Sequence, residues 1–186
     1  MKKNIQYLLL LLTITAVIYL PALRNDFNNW DDEAYFTNNP QIGFNKENIK
    51  KSFVHGETHR MYVPLTALSN SITYTFFGLH PKPFLVINLI LHLLNISLVF
   101  YFIHLLCKQN IVSLLTAALF ALHPMQVESV AYASGRRDIL YVSFLLLSLI
   151  FYLFTIEKKE NKKINYFFSL IFAVLSMLST DHSRIL

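Results

Sequence analysis

Long apolar runs separated by short polar segments dominate the chain. Four of the runs are predicted to be transmembrane spans: 5–23, 84–106, 139–156 and 164–179. The first of them, at about 1.5 Å of helix per residue, is long enough to cross a hydrocarbon core of about 30 Å. The run 111–123 gives only about 20 Å of helix. We therefore expect a kink at Pro124 and a short surface helix from Met125 to Ser134. The pattern predicts an all-α membrane protein with about five transmembrane helices.

The long segment 24–83 between the first two runs has a helical pattern of its own. Its apolar residues recur at helical spacing, and they are Leu65, Leu68, Ile72, Phe76 and Leu79. Polar residues fill the other faces, Pro64 suits a first helical turn, and Gly78 suits a helix end. This spacing predicts an interfacial amphipathic helix that lies on the membrane and does not cross it.

The composition agrees with a membrane protein and excludes several other classes. Of 186 residues, 54% are hydrophobic and 15% charged, with a mean hydropathy of +0.44, which is too apolar for an ordinary soluble domain. The net charge of +5 lies in separated loops and forms no basic stripe, so nucleic-acid binding is not indicated. Cys107 is the only cysteine, which excludes an intrachain disulfide and a cysteine metal cage.

Lysines in the shortest loops predict the orientation. They favour a cytoplasmic amino terminus in a cytoplasmic (inner) membrane, with the segment 24–83 and the segment around Pro124 on the external face. This orientation places nine of the eleven acidic residues outside.

An acidic cluster follows the first apolar run within the stretch FNNWDDEAYF, residues 27–36. Asp31, Asp32 and Glu33 must lie outside the hydrocarbon, since each would cost about 2.5–3.5 kcal/mol at a helix centre. Adjacent carboxylates there could supply a general base and an orienting group, or bind a divalent cation. The alternative is that they cap the amino terminus of a short helix.

A second cluster of functional side chains spans His123 to Asp138 and includes Glu128, Arg136 and Arg137. Two arginines outside oppose the positive-inside tendency, which indicates an anion that holds them there. Phosphate is the natural anion because guanidinium binds it bidentately. The alternative is that Arg137 pairs with Asp138 while Arg136 reaches lipid headgroups.

Two further groups of polar residues are weaker candidates. Asn88, His92 and Asn95 share one face of the second span, which favours interhelical hydrogen bonds inside the bundle. In the loop, His59 and Arg60 could join the external site.

Four ordered motifs resemble one family. They are WDDEAYFTNNPQI (30–42), MYVPLTALSNSI (61–72), FGLHPKPFLVINLILHLLN (77–95) and ALFALHPMQVESVAYASGRRDIL (118–140). Together they resemble the amino-terminal half of the membrane module of the transmembrane, tetratricopeptide-repeat (TMTC-like) glycosyltransferases. These are related to protein O-mannosyltransferases and belong to the GT-C class. The resemblance implies a partial GT-C bundle and extends to about Leu178, after which relatives continue with further helices and tetratricopeptide repeats. We therefore expect the amino-terminal part of such a module, without the repeats.

The resemblance also implies a reaction. The donor would be a sugar on polyprenyl phosphate, and the acceptor a hydroxyl of a protein Ser or Thr or of a glycan. Asp31 would be the general base, Asp32 would orient the acceptor or the sugar, and Arg136 or Arg137 would hold the leaving phosphate.

Other positions also relate to the family motifs. Glu128 and Asp138 match acidic positions of the motif that begins at His123. Val63 stands where many relatives have an arginine or histidine, so that donor contact would be missing or come from His59 or Arg60. The alternative function is a non-catalytic membrane protein that binds a polyprenyl-phosphate lipid or serves as a subunit of a partner enzyme.

Overall fold

The computed structural model describes residues 2–40, 42–54, 62–157 and 161–180, and within these ranges it contains helices and turns but no strand. The α-helices, in chain order, are α1 (Lys2–Tyr19), α2 (Lys46–Val54), α3 (Pro64–Phe77), α4 (Pro81–Cys107), α5 (Asn110–Leu122), α6 (Gln126–Ala131), α7 (Arg136–Glu157) and α8 (Lys162–Met177). The all-α membrane fold predicted from the apolar runs is therefore present.

Three helical segments in the described part of the chain are long and apolar enough to cross a membrane: Ile5–Arg24, Pro81–Cys107 and Ala133–Glu157. Helix α5 has 13 residues and α8 has 16, so both are shorter than a typical span. Helix α5 ends at Leu122, just before Pro124, and the short helix α6 follows after a turn. The predicted break at Pro124 and the short helix beyond it are both present.

Helix α4 lies at the centre of the bundle and packs against α1, α5 and α7, while α8 packs along α7. Small and branched apolar side chains fill the core, among them Leu11, Ile96, Ala117, Ala121 and Leu146. Large apolar side chains also point away from the bundle, as Leu119 of α5 does with 73% of its surface exposed. An apolar exterior of this kind suits a lipid environment.

The polar face of α4 points into the bundle, as its helical spacing predicted. Asn88 Nδ2 donates to the Tyr132 carbonyl oxygen at 2.8 Å, and Asn95 Nδ2 donates to the Ile139 carbonyl oxygen at 3.0 Å. His92 Nε2 lies 3.3 Å from the Ala121 carbonyl oxygen. All three side chains are buried, so they join α4 to the segments on either side of α6.

Helix α3 turns its polar side chains toward the protein. Thr66, Asn70 and Thr73 are buried, whereas Ile72 and Phe76 are exposed. The start of α3 is joined to the end of α8, because the Leu65 amide donates to the Leu178 carbonyl at 3.1 Å and Thr66 Oγ1 donates to that of Ser179 at 2.7 Å. The predicted amphipathic helix is thus present with its apolar face outward, as contact with lipid would require.

Candidate functional site

The candidate site lies at one end of the helix bundle. The segment after α1, the start of α4, helix α6 and the start of α7 all meet at this end. Asn25, just past α1, donates from Nδ2 to the Ala131 carbonyl oxygen at 3.3 Å. These contacts bring the acidic cluster that follows α1 next to the arginines that begin α7.

Asp32 joins the segment after α1 to the segment before α7. Its side chain is buried, with 1% of the residue surface exposed. Its Oδ1 accepts a hydrogen bond from the Ser134 backbone N–H at 2.8 Å, and its Oδ2 accepts one from the Asn28 backbone N–H at 3.0 Å. Asn28 Oδ1 accepts the backbone N–H of Asp32 in return, at 3.1 Å. The helical turn Glu33–Thr37 has no side-chain cap from Asp32, so capping is not what this carboxylate does.

Asp31 forms an ion pair with Arg137. Arg137 Nη2 lies 3.4 Å from Asp31 Oδ2, and its Nε lies 3.7 Å from Asp138 Oδ1. Arg137 Nη1 also donates to the Tyr35 hydroxyl oxygen at 3.4 Å. The Asp31 side chain is 37% exposed and that of Arg137 is 22% exposed, so both remain reachable from solvent. The pairing of Arg137 with Asp138, which was the alternative to phosphate binding, is therefore present, and Arg137 pairs with Asp31 as well.

A cavity of about 300 Å³ opens beside this ion pair. Its lining combines the loop after α1 with the segment from α6 to α7, namely Asn28, Trp30, Asp31, Glu128, Tyr132, Ser134, Gly135, Arg137 and Asp138. Trp30 is 82% exposed at this cavity. We call it the carboxylate cavity, because three carboxylates and one guanidinium line it.

Arg136 lies away from the carboxylate cavity and is fully buried, with 0% exposed. Its guanidinium donates from Nε to Asn88 Oδ1 at 2.9 Å, from Nη1 to Thr73 Oγ1 at 2.7 Å, and from Nη2 to the Phe84 carbonyl oxygen at 2.9 Å. Nη1 also donates to the hydroxyl of Ser69 at 3.2 Å. The alternative in which Arg136 reaches lipid headgroups is wrong, because the side chain is enclosed and joins α3, α4 and α7. Of the two arginines, only Arg137 lines the cavity.

Gly135 allows α6 to lie close against the start of α7. A Cβ atom at this position would be 2.3 Å from the backbone oxygen of Ser129 and 2.7 Å from its Cα. Such distances are far below van der Waals contact, so no larger residue fits without moving the backbone. The glycine therefore sets the distance between Glu128 on α6 and Arg137 on α7.

The remaining predicted site residues differ in position. Glu128 lines the carboxylate cavity and is exposed. His123 is exposed and not part of the lining, and its Nδ1 accepts the Met125 backbone N–H at 3.2 Å. His59 and Arg60 lie outside the described residues. Within the described part, no group of three or more His, Cys, Asp or Glu side chains is placed to hold a metal ion.

Sequence reasoning missed two contributors to this site. Asn28 holds both the backbone and the carboxylate of Asp32, and Tyr35 accepts a hydrogen bond from Arg137. Asn28 stands four residues before Asp32, a spacing typical of local side-chain-to-backbone hydrogen bonds, so the sequence held a signal for it. Tyr35 gave no such signal, because its partner lies 102 residues away.

The arrangement offers a carboxylate and a guanidinium on one cavity wall, with an exposed indole beside them. A carboxylate at such a place can accept a proton, and a guanidinium can stabilise a phosphate oxygen. These features define a helical membrane protein with an acid–arginine site at one end of its bundle.

Comparison with curated proteins finds several homologues of one kind. It is 29% identical to "Protein O-mannosyl-transferase F38B6.6" of Caenorhabditis elegans over 192 aligned positions, which cover 96% of this chain and 26% of the worm protein. It is 30% identical to "Protein O-mannosyl-transferase TMTC1" of Mus musculus, over 77% of this chain and 16% of the mouse protein. It is 36% identical to "Protein O-mannosyl-transferase TMTC4" of Mus musculus, over 57% of this chain. The chain is thus a homologue of the TMTC-type glycosyltransferases.

The match is limited in two respects. The chain spans about a quarter or less of the length of these curated relatives. No family model matches it, and no solved structure matches it either.

Proposed function

We propose that this chain carries the acid–arginine site of a membrane glycosyltransferase. The site would move a sugar from a polyprenyl-phosphate-linked donor to an acceptor hydroxyl, such as that of a protein Ser or Thr, on the external face of the cytoplasmic membrane. The names of the relatives support O-mannosyl transfer as the reaction class. The observation that carries the proposal is the Asp31–Arg137 pair at 3.4 Å on the wall of the carboxylate cavity.

The proposed chemistry assigns one half-reaction to each partner. The Asp31 carboxylate accepts the proton of the acceptor hydroxyl while the hydroxyl oxygen forms a bond to the anomeric carbon of the sugar. The bond from that carbon to the phosphate oxygen breaks, and its electron pair leaves with the phosphate. Arg137 stabilises the negative charge that develops there, and the configuration at the anomeric carbon inverts.

Arg137 can exchange its present partners for a phosphate. Its contacts with Asp31, Asp138 and Tyr35 measure 3.4–3.7 Å, whereas strong charge-assisted hydrogen bonds are about 2.7–2.9 Å long. A bidentate phosphate would therefore offer Arg137 shorter contacts than these three. Binding the phosphate would also draw the guanidinium from Asp31 and leave that carboxylate able to accept a proton.

We propose for Asp32 a different role from the one that the resemblance implied. It is enclosed, and both of its carboxylate oxygens already accept backbone N–H groups. We assign it the positioning of Asp31, not contact with the acceptor or the sugar. None of the steps above uses a divalent cation.

Purified protein in proteoliposomes, supplied with polyprenyl-phosphate-mannose and a Ser/Thr-containing peptide, tests the proposal. We expect mannosylated peptide and free polyprenyl phosphate in equal amounts, and we expect Arg137→Met to lower donor binding. Binding of polyprenyl phosphate by wild-type protein without any transfer would favour the non-catalytic alternative, a lipid-binding protein or a subunit of a partner enzyme. Absence of both binding and transfer would contradict the proposal.

A further inference from the structure

A second pocket adjoins the carboxylate cavity, since Asp138 lines both. It has a volume of about 220 Å³ and is lined by α4, the end of α5, the segment before α6, α6 itself and the start of α7. The residues that matter for its chemistry are His92, Asn95, Phe120, Gln126, Ser129 and Asp138. We call it the inner pocket.

Several polar groups of the inner pocket are not used by the fold. Among the described residues, the side chains of Gln126 and Ser129 make no hydrogen bond. Their polar atoms are not fully buried, so a ligand can reach them. Within the described part of the chain, the Asp138 carboxylate has one contact, the long one of 3.7 Å from Arg137. By contrast, both ends of the Asn95 amide are engaged, since its Nδ2 donates to the Ile139 carbonyl oxygen and its Oδ1 accepts from the Ser143 hydroxyl. The pocket thus presents an amide, a hydroxyl and a carboxylate to a ligand.

These groups select one kind of ligand. Among the described residues of the lining, Asp138 is the only acidic one and none is a lysine or arginine, so an anionic ligand is disfavoured. Amide, hydroxyl and carboxylate groups together match the alternating donors and acceptors of a polyhydroxylated ring. The volume is below the roughly 300 Å³ at which pockets for drug-sized ligands begin, so the ligand is a single small ring and not a chain of them.

We infer that the inner pocket is the subsite for the sugar ring of the donor, with the phosphate in the carboxylate cavity. This inference rests on the proposed function. In a phosphate-linked sugar the ring and the phosphate are joined through one oxygen atom, so their subsites must adjoin. Asp138 supplies that adjacency, because it lines both cavities and lies 3.7 Å from Arg137. Gln126 and Ser129 are then specificity-determining residues for the sugar, and Asp138 contacts the ring at the boundary.

Two lipids that differ only in the sugar separate this inference from the proposed function. The purified protein is titrated with polyprenyl-phosphate-mannose and with sugar-free polyprenyl phosphate. We expect Gln126→Leu to weaken the sugar-bearing lipid about tenfold and to leave the sugar-free lipid unchanged, as loss of a polar contact to a hydroxyl requires. Gln109→Leu is the control. It makes the same chemical change just before α5, whereas the pocket touches the other end of that helix, and it should change neither affinity.

The possible results are distinct. If Gln126→Leu alters the two affinities equally, or alters neither while wild-type protein binds both lipids, the inner pocket is not the sugar subsite and the proposed function stands. If wild-type protein binds neither lipid, the proposed function fails and the inference fails with it.

A labelling experiment tests the same inference without relying on an affinity change. In a Cys107→Ser background, Ser129→Cys places a single thiol in the inner pocket. We expect saturating polyprenyl-phosphate-mannose to slow the reaction of this thiol with a maleimide severalfold, and sugar-free polyprenyl phosphate to leave the rate unchanged. Equal protection by the two lipids, or none by either, would overturn the inference.

Discussion

Asp32 Oδ1 accepts a hydrogen bond from the backbone N–H of Ser134 at 2.8 Å, across 102 residues of sequence. This contact joins the segment after α1 to the segment before α7. The neighbours of these two residues, Asp31 and Arg137, form the ion pair of the site. The geometry of the site therefore depends on a carboxylate that is itself shielded from any substrate.

Removing the Asp32 carboxylate should destabilise this junction. In Asp32→Ala, the backbone N–H groups of Asn28 and Ser134 lose their acceptor, and the latter is in a buried position. We expect the free energy of unfolding to fall by about 1–3 kcal/mol, the usual cost of an unsatisfied buried polar group. Denaturant titration of the purified protein in detergent micelles measures this change.

Two substitutions serve as controls for Asp32→Ala. Ser134→Ala keeps the backbone donor, and Glu33→Ala removes an exposed carboxylate next to Asp32. Both should alter the free energy of unfolding by no more than about 0.5 kcal/mol. A loss in Ser134→Ala as large as that in Asp32→Ala would show that the side chain of Ser134, and not its backbone contact, stabilises the junction.

Replacement by lysine should affect stability at Arg136 and lipid binding at Arg137. Arg136→Lys keeps the charge but cannot serve Asn88, Thr73 and the Phe84 carbonyl together, because an ammonium lacks the planar fork of a guanidinium. We expect it to lower the free energy of unfolding by about 2 kcal/mol or more. Arg137→Lys should leave stability nearly unchanged, since its ion pairs are partly exposed, and should weaken polyprenyl-phosphate binding.

Parallel denaturation and lipid-binding measurements on the two arginine variants check this contrast. A stable Arg136→Lys protein that has lost lipid binding would contradict the structural role assigned to Arg136. It would instead make Arg136 the phosphate ligand.

Gly135→Ala should be among the most damaging single substitutions in the chain. The added Cβ would lie 2.3 Å from the Ser129 backbone oxygen, so α6 must move away from the start of α7. We expect a loss of several kcal/mol in the free energy of unfolding, at the upper end of the range for overpacking. Thermal unfolding beside the neighbouring control Ser134→Ala checks it, and an unfolding temperature within about 2 °C of wild type would contradict the close packing.

The helices and the inward polar face of α4 could be predicted because both depend on local spacing. Asn88, His92 and Asn95 recur on one side of a helix, and in an apolar helix such a face must turn inward. The break at Pro124 was also predictable, since proline cannot continue a helix that precedes it.

The site could be predicted only in part. Consecutive residues of a helix point about 100° apart, so the sequence could not tell which of Arg136 and Arg137 faces a cavity. That choice depends on the rotation of α7, which the contacts of Arg136 with α3 and α4 reveal. The burial of Asp32 likewise depends on Ser134, too distant in sequence for local spacing to show.

The central claim is that the Asp31 carboxylate is the base of a sugar transfer, and Asp31→Asn tests it most directly. The pair with Arg137 is partly exposed and contributes about 0–1 kcal/mol, so the variant should fold and insert as the wild type does. Glu33→Gln makes the same chemical change at a nearby exposed carboxylate that does not line the cavity.

The measurement is the initial rate of mannose transfer to a Ser/Thr peptide in proteoliposomes with saturating donor. We expect Asp31→Asn to lower this rate by about 10²–10⁴-fold, the contribution of a general base, with donor binding retained. Glu33→Gln should transfer at the wild-type rate. A wild-type rate in Asp31→Asn would contradict the account and remove Asp31 from the role of base.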